Sequence, residues 1–353
     1  MNILNNSFKL KATESTWAIF AITRFLLAFV VLIHHIDIYF DFIKGNSKLE
    51  FIASFGGKAS VLGFLLISGI SIGHSFSIKK EGFLKRRFLR IYPLYFFAVI
   101  FAVILQYYLG SPYQLPNSNF VSAGIFTSIG NLLLLQGIAV IPIIYNYPLW
   151  SLGVECFLYL MLPLLFRLRL RYILVILVIS ICTFLFKRDF FYGYIILKWA
   201  WPFIIGFIIV AKKQTRLTIL LLIAMPIITA YDKISFSPLL SWLNVSLVAI
   251  ICLFSLNFEI QLSKTVQKVF NFLGTISYPI YVLHLPILLL LYHCGITEVY
   301  TLIGLVILIT IPLNYIFDDW LKRIFWKPLV SYFNGKLIRV SVLISSTKKP
   351  IKL

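Results

Sequence analysis

The chain has 353 residues, of which 60% are apolar and only 12% charged, about half the charged share of an ordinary soluble domain. That much apolar surface exceeds what one water-soluble core can hide, so the composition excludes a soluble globular protein and makes lipid the solvent for most of the chain. The 32 lysines and arginines against 12 acidic residues give a formal charge of +20. In a soluble protein that balance would suggest nucleic acid; in a membrane chain the cations report topology instead, and no nucleic-acid partner is expected.

A transmembrane helix needs about 20 mostly apolar residues. Such runs recur in chain order at 17–41, 59–78, 91–110, 149–166, 172–187, 193–211, 217–231, 238–257, 270–292 and 299–317. One further apolar stretch, 119–140, is interrupted by Gly124, Gly130, Asn131, Gln136 and Gly137 and reads as an interfacial or re-entrant segment. With the N-terminus in the cytoplasm, twenty-four of the 32 cations fall on the inner side and six on the outer. Adding or omitting one span would invert every later loop and destroy that asymmetry. The expectation is an all-α integral membrane protein, a bundle of about ten transmembrane helices with both termini cytoplasmic. The membrane domain is expected over 1–333 and a basic cytoplasmic tail over 334–353, with the amphipathic stretch Leu321–Phe333 on the inner membrane surface. The first run carries Arg24, His34 and His35 and has no small-residue cleavage site, so it reads as a span rather than a cleavable signal peptide. Cys156, Cys182, Cys252 and Cys294 sit in apolar runs without paired spacing, which implies neither a disulfide framework nor a metal site.

Ionisable residues inside a bilayer are costly and therefore point to function. In the first run, Arg24 and His35 are eleven residues apart, which at about 100° per residue returns to within roughly 20° of one face and rises about 16 Å. His34 lies about 80° off that face. The basic segment 79–90 contains Lys85, Arg86, Arg87 and Arg90, with Arg87 and Arg90 sharing a helical face and Tyr92-Pro93 opening the next span at a position the first turn tolerates. Membrane anchoring accounts for any basic loop, but paired guanidinium forks also suit the phosphates of a cytosolic donor such as a coenzyme A thioester. Ser151, Glu155 and Tyr159 follow i, i+4, i+8, and a membrane carboxylate needs a partner, which His35 or an arginine would supply. Ser277, Tyr281 and His284 again share one face. Each group alone would fit an interhelical hydrogen-bond network; together they offer a base, a carboxylate and an anion site in one bundle. No P-loop, Gly-x-Ser-x-Gly, His-Glu-x-x-His or Gly-x-Gly-x-x-Gly motif competes with that reading.

From about Trp17 to Phe325 the chain resembles the acyltransferase 3 family, integral-membrane acyltransferases of bacterial surface glycans. Five motifs carry the resemblance in family order: Arg24 to His35; Gly63-Phe-Leu-Leu-Ile-Ser68-Gly69; Arg87-Phe-Leu-Arg90-Ile-Tyr-Pro93; Trp150-Ser151-Leu with Glu155, Tyr159 and Pro163; and Ile276-Ser-Tyr278 with Tyr281 and His284. The resemblance implies an O-acyltransferase, most simply an O-acetyltransferase, in a bacterial cytoplasmic membrane. Its donor would be acetyl-CoA or another acyl-CoA and its acceptor a hydroxyl of a surface polysaccharide or lipid-linked glycan, with no permanently bound cofactor. It also implies a stand-alone form, without the extracytoplasmic esterase-like domain that many relatives carry. In that scheme His35 is the general base, Glu155 orients it, and Arg24 and His284 stabilise the oxyanion or shape the channel. Arg87 and Arg90, helped by Arg86 and Lys85, hold the donor phosphates, with His34, Ser68, Ser151 and Tyr281 in support. The alternatives are a transporter or flippase for a lipid-linked glycan, using the same polar residues as a path, and a non-catalytic subunit of an envelope-synthesis complex.

Overall fold

A computed structural model describes residues 12–110, 124–186, 194–212, 215–231 and 240–332. The expectations for Lys9, Lys11, Lys187, Arg188, Lys233 and the tail 334–353 fall outside those residues. Helices α1 (Glu14–Phe40), α2 (Ser47–Ala53), α3 (Gly57–Ile78) and α4 (Phe83–Leu109) are followed by α5 (Ile125–Leu132) and a 3₁₀ turn at Ile144–Leu149. Then come α6 (Trp150–Arg167), α7 (Leu170–Leu185), α8 (Tyr194–Trp199), α9 (Trp201–Lys212), α10 (Thr215–Tyr231), α11 (Leu240–Asn257), α12 (Lys264–His293) and α13 (Val299–Asn314). Among the described residues, seven helices are long and apolar enough to cross a membrane, and α7, α9 and α10 contribute three shorter apolar helices. The chain is a helical, multi-pass membrane protein.

Local chemistry sets the helix ends. Thr13 caps α1 in a reciprocal box with Thr16, satisfying amides that lipid could not. Ser263 caps α12, and Glu298 caps α13, where hydrogen bonds from Thr301 and Tyr300 hold its carboxyl below the usual carboxylate range. Several helices depart from the apolar runs. From Phe83 the basic segment is helical rather than a loop: α4 starts there, after Gly82 in the left-handed region at φ 60°, so Lys85 to Arg90 ride on its first turns, while Lys79 and Lys80 stay in the connection. Lysine and arginine are good helix formers, and hydropathy marks only the part of a helix that lipid covers. Pro93 consequently lies well inside α4 rather than in a first turn and deprives the Leu89 carbonyl of its usual donor. The expected span 193–211 is two helices, α8 and α9, broken at Ala200 ahead of Pro202. The stretch after α13 continues that helix through two wide π turns and buries Trp326 against Phe88, Tyr92 and Phe96 of α4.

The interrupted segment forms the eight-residue α5 and a tight return at Leu134, whose φ is 61°. Its backbone is held by buried side chains. Asn131 donates to the carbonyls of Thr127 and Ile141 and accepts from the Ile143 amide, while Gln136 donates to the Leu149 carbonyl at 3.0 Å. Tyr95 donates to the Asn131 carbonyl. Within a bilayer, irregular backbone is tolerated only when it is satisfied in this way.

Two glycine crossings bring the working helices together. Gly69 of α3 and Gly206 of α9 lie where a β-carbon would overlap the Phe203 and Leu66 carbonyl oxygens, so α3 and α9 touch backbone to backbone. Gly274 of α12 meets Ala21 of α1 in the same fashion, which draws α12 alongside α1.

Candidate active site

A cavity with about 930 Å³ of empty space opens among α1, α3, α4, α6 and α12. Arg24 comes from α1, Ser68 and Ser71 from α3, Arg87 and Arg90 from α4. Helix α6 adds Ser151, Glu155 and Tyr159, and α12 adds Ser277, Tyr278 and Tyr281. Helical periodicity explains the convergence: the i, i+4, i+8 set on α6 and the i, i+4 pair on α12 each present one face. On α3 the polar face is wider than the motif. Ser68, Ser71 and Ser75 follow i, i+3, i+7, and this serine ladder was open to reading in the sequence but missed there.

The ladder receives the arginines. Arg24 Nη2 donates to Ser71 Oγ at 2.6 Å and Arg87 Nη2 to Ser75 Oγ at 2.8 Å, while the buried Arg87 Nε has no hydrogen-bond partner among the described residues. Arg90 lines the cavity from the exposed end of α4. Ser68 and Tyr159 both donate to Glu155 Oε1. The carboxylate therefore has its own hydroxyl cage, and the expected pairing of Glu155 with His35 is not made. It sits one turn from Ser151, and among the described residues its hydrogen bonds come from α3 and α6.

The four basic donor-site candidates divide. Arg87 and Arg90 face the cavity; Arg86 turns back, with Nη2 at 2.6 Å from the Lys79 carbonyl and Nη1 on that of Glu81, and Lys85 faces the other side of α4.

Past the cavity, Tyr281 and Ser151 form a partition. Their hydroxyl oxygens are 2.5 Å apart, both reach the Pro148 carbonyl, at 3.1 and 3.3 Å, and Phe64 packs edge-on against the tyrosine ring at 5.3 Å. One turn further along α12 is His284, fully buried, with its ring 5.0 Å from that of His35. His35 is therefore separated from the cavity lining by the Tyr281 layer.

The two imidazoles have assigned roles because their partners include acceptors with no proton to give. His284 Nδ1 lies 3.0 and 2.8 Å from the carbonyl oxygens of Ile280 and Tyr281, so that nitrogen carries the hydrogen. His35 Nδ1 is 2.8 Å from the Val31 carbonyl and carries hydrogen for the same reason. The lone pair of His284 Nε2 then faces His35 Nδ1–H at 3.2 Å, and the lone pair of neutral His35 is on Nε2. His34 points elsewhere, against Gly57, where a β-carbon would come within 2.6 Å of its ring. Among the described residues no cluster of histidine, cysteine and carboxylate side chains fits a metal ion.

A family model described as an acyltransferase domain matches residues 18–319. The chain belongs to the acyltransferase 3 family. That span contains every element of the site just described, and membership makes the protein a membrane acyltransferase. No curated protein and no solved structure matches the chain at a significant level.

Proposed function

We propose that the protein transfers an acyl group, most simply acetyl, from a coenzyme A thioester entering at the basic end of α4 to a hydroxyl of a surface glycan or its lipid-linked precursor. The observation that carries the reading is one polar stripe, with Arg87 and Arg90 at one end of a cavity and a tautomerically fixed imidazole beyond its other end. Three guanidinium groups against one carboxylate leave the cavity with surplus positive charge in a low-dielectric setting, which favours an anionic ligand such as the donor's phosphates.

In this mechanism the acceptor hydroxyl gives its proton to His35 Nε2 while its oxygen attacks the thioester carbonyl. The carbon–sulfur bond then breaks, and the departing thiolate takes the proton from the imidazolium, leaving an ester and free coenzyme A thiol. An imidazole suits both proton transfers near neutral pH. His284 is the positioning residue: its Nε2 lone pair and the Val31 carbonyl both accept from His35 Nδ1–H, fixing the tautomer and stabilising the cation formed in the transition state. Glu155 acts as counter-charge to the arginines, and Arg24, about 16 Å below His35 along α1, lies on the route of the pantetheine arm. The Tyr281–Ser151 partition must part for the thioester to reach His35.

The test is purified protein given radiolabelled acetyl-CoA and a polysaccharide acceptor. His35→Ala should lower turnover by about 100-fold or more, the usual worth of a general base. Full turnover in that variant removes His35 from the mechanism.

A further inference from the structure

A second cavity, with about 1150 Å³ of empty space, lies on the far side of α4, between that helix, α6, the turn after α5 and the helical continuation at Val330. Its walls are hydrocarbon, contributed by residues such as Phe88, Leu134, Ile138 and Phe157. It faces outward: Leu133 and Leu160 on its rim are 60% and 57% exposed, and in a membrane that exposure is to lipid tails. Among the described residues the cations lining it are Lys85 and Arg87, both at the start of α4. The tyrosine hydroxyls along it are engaged elsewhere, Tyr92 on the Leu132 carbonyl at 3.0 Å and Tyr159 on Glu155.

We infer that this groove binds one anionic phospholipid of the inner leaflet, its tail along the apolar wall and its phosphate on Lys85 and Arg87. Charge complementarity selects this occupant. A neutral lipid tail would fill the hydrocarbon part equally well but would leave both cations without a counter-ion at the depth where anionic headgroups lie. Both side chains have donor capacity to give: among the described residues Arg87 Nε has no hydrogen-bond partner, and the Lys85 ammonium has one 3.4 Å contact, with Ser331 Oγ. Arg86, whose guanidinium is already satisfied by backbone carbonyls, is not part of the site. Because Arg87, Ile91 and Tyr159 line both cavities, the lipid would sit against the wall of the reaction cavity, and one guanidinium would serve two phosphates. The inference concerns binding and does not depend on the acyl transfer proposed above.

The test is native mass spectrometry of the detergent-purified full chain with equal amounts of phosphatidylglycerol and phosphatidylcholine. The wild type should retain one phosphatidylglycerol at least five-fold in preference to phosphatidylcholine. Lys85→Ala should erase most of the preference. Filling the groove with Leu133→Trp and Leu160→Trp, both at outward-facing positions, should reduce phosphatidylglycerol retention at least five-fold with the unfolding temperature unchanged. Ile138→Trp, a single change further inside the groove, should do the same. Equal retention of the two lipids by the wild type, or undiminished retention by the folded tryptophan variants, overturns the inference.

Discussion

The two ends of the polar stripe handle charge in opposite ways. On the basic side, Arg24, Arg87 and Arg90 share a cavity with the single lining carboxylate of Glu155, and Arg24 and Arg87 are met by serine hydroxyls that cannot neutralise them. On the far side of Tyr281, His35 and His284 hydrogen-bond, among the described residues, to each other and to backbone carbonyls, an arrangement satisfied with both rings neutral. Under the proposed function, the contrast puts binding and chemistry in different places. A cluster of guanidinium groups is stable in a membrane only when an anion shares it, whereas a neutral imidazole with a free lone pair is prepared to accept a proton. Arg87→Ala combined with Arg90→Ala should remove at least two charge-assisted hydrogen bonds, roughly 3 kcal/mol and about 100-fold in coenzyme A affinity by calorimetry. Unchanged affinity in the folded double variant would reduce the basic side to membrane anchoring.

The imidazole pair should respond in the opposite parameter. His284→Ala is expected to lower kcat by about 10–100-fold while leaving the donor KM within about two-fold, since the residue acts on the base and not on the phosphates. His284→Asn should recover part of the loss because an amide oxygen can accept from His35 Nδ1–H. A loss that appears in KM instead would mean that the two ends are not separate. Glu155→Gln sharpens the contrast from the other direction. It keeps the cage of Ser68 and Tyr159 in place while removing the lone counter-charge, so the donor KM should fall several-fold with kcat changed by less than about ten-fold. A collapse of kcat as large as that of His35→Ala would restore the carboxylate to the chemistry.

Much of this division is written in helical periodicity. The Arg24–His35 stripe, the Ser151–Glu155–Tyr159 face and the Ser277–Tyr281 pair are each spacings within one helix, so 3.6 residues per turn makes them readable without a fold. Pairings between helices are not readable that way. His35 and His284 are 249 residues apart, and their contact exists because Gly274 lets α12 approach Ala21 of α1, a steric fact that residue spacing does not encode. For the same reason spacing left Glu155 open between His35 and an arginine and did not show its cage, which comes partly from Ser68, on a helix held against α9 by the Gly69–Gly206 crossing. The helical start of α4 and the break between α8 and α9 were hidden for a different cause. Hydropathy reports which residues lipid covers, and neither a cationic helical turn nor a proline-directed break in an apolar run changes that signal in the right direction.

The smallest expected effect lies at the boundary between the two ends. Tyr281 Oη is held by Ser151 Oγ at 2.5 Å and the Pro148 carbonyl at 3.1 Å, and the ring fills the space between the cavity and His284. Tyr281→Phe keeps the ring and removes the oxygen. Ser151 retains the Pro148 carbonyl as an acceptor, so the variant loses about 1 kcal/mol of net hydrogen bonding, enough to lower the unfolding temperature by a few degrees. The functional consequence is more telling than the stability change. If the hydroxyl pair keeps water on the His35 side from the thioester, loosening it should raise acetyl-CoA hydrolysis in the absence of acceptor several-fold, while transfer with acceptor present changes by less than about three-fold. Thiol release followed with a chromogenic disulfide measures both rates on the same sample. Hydrolysis that stays at the wild-type level in a folded Tyr281→Phe variant would show that the ring alone, packed against Phe64, makes the seal and that the hydrogen bonds serve only the helix junction.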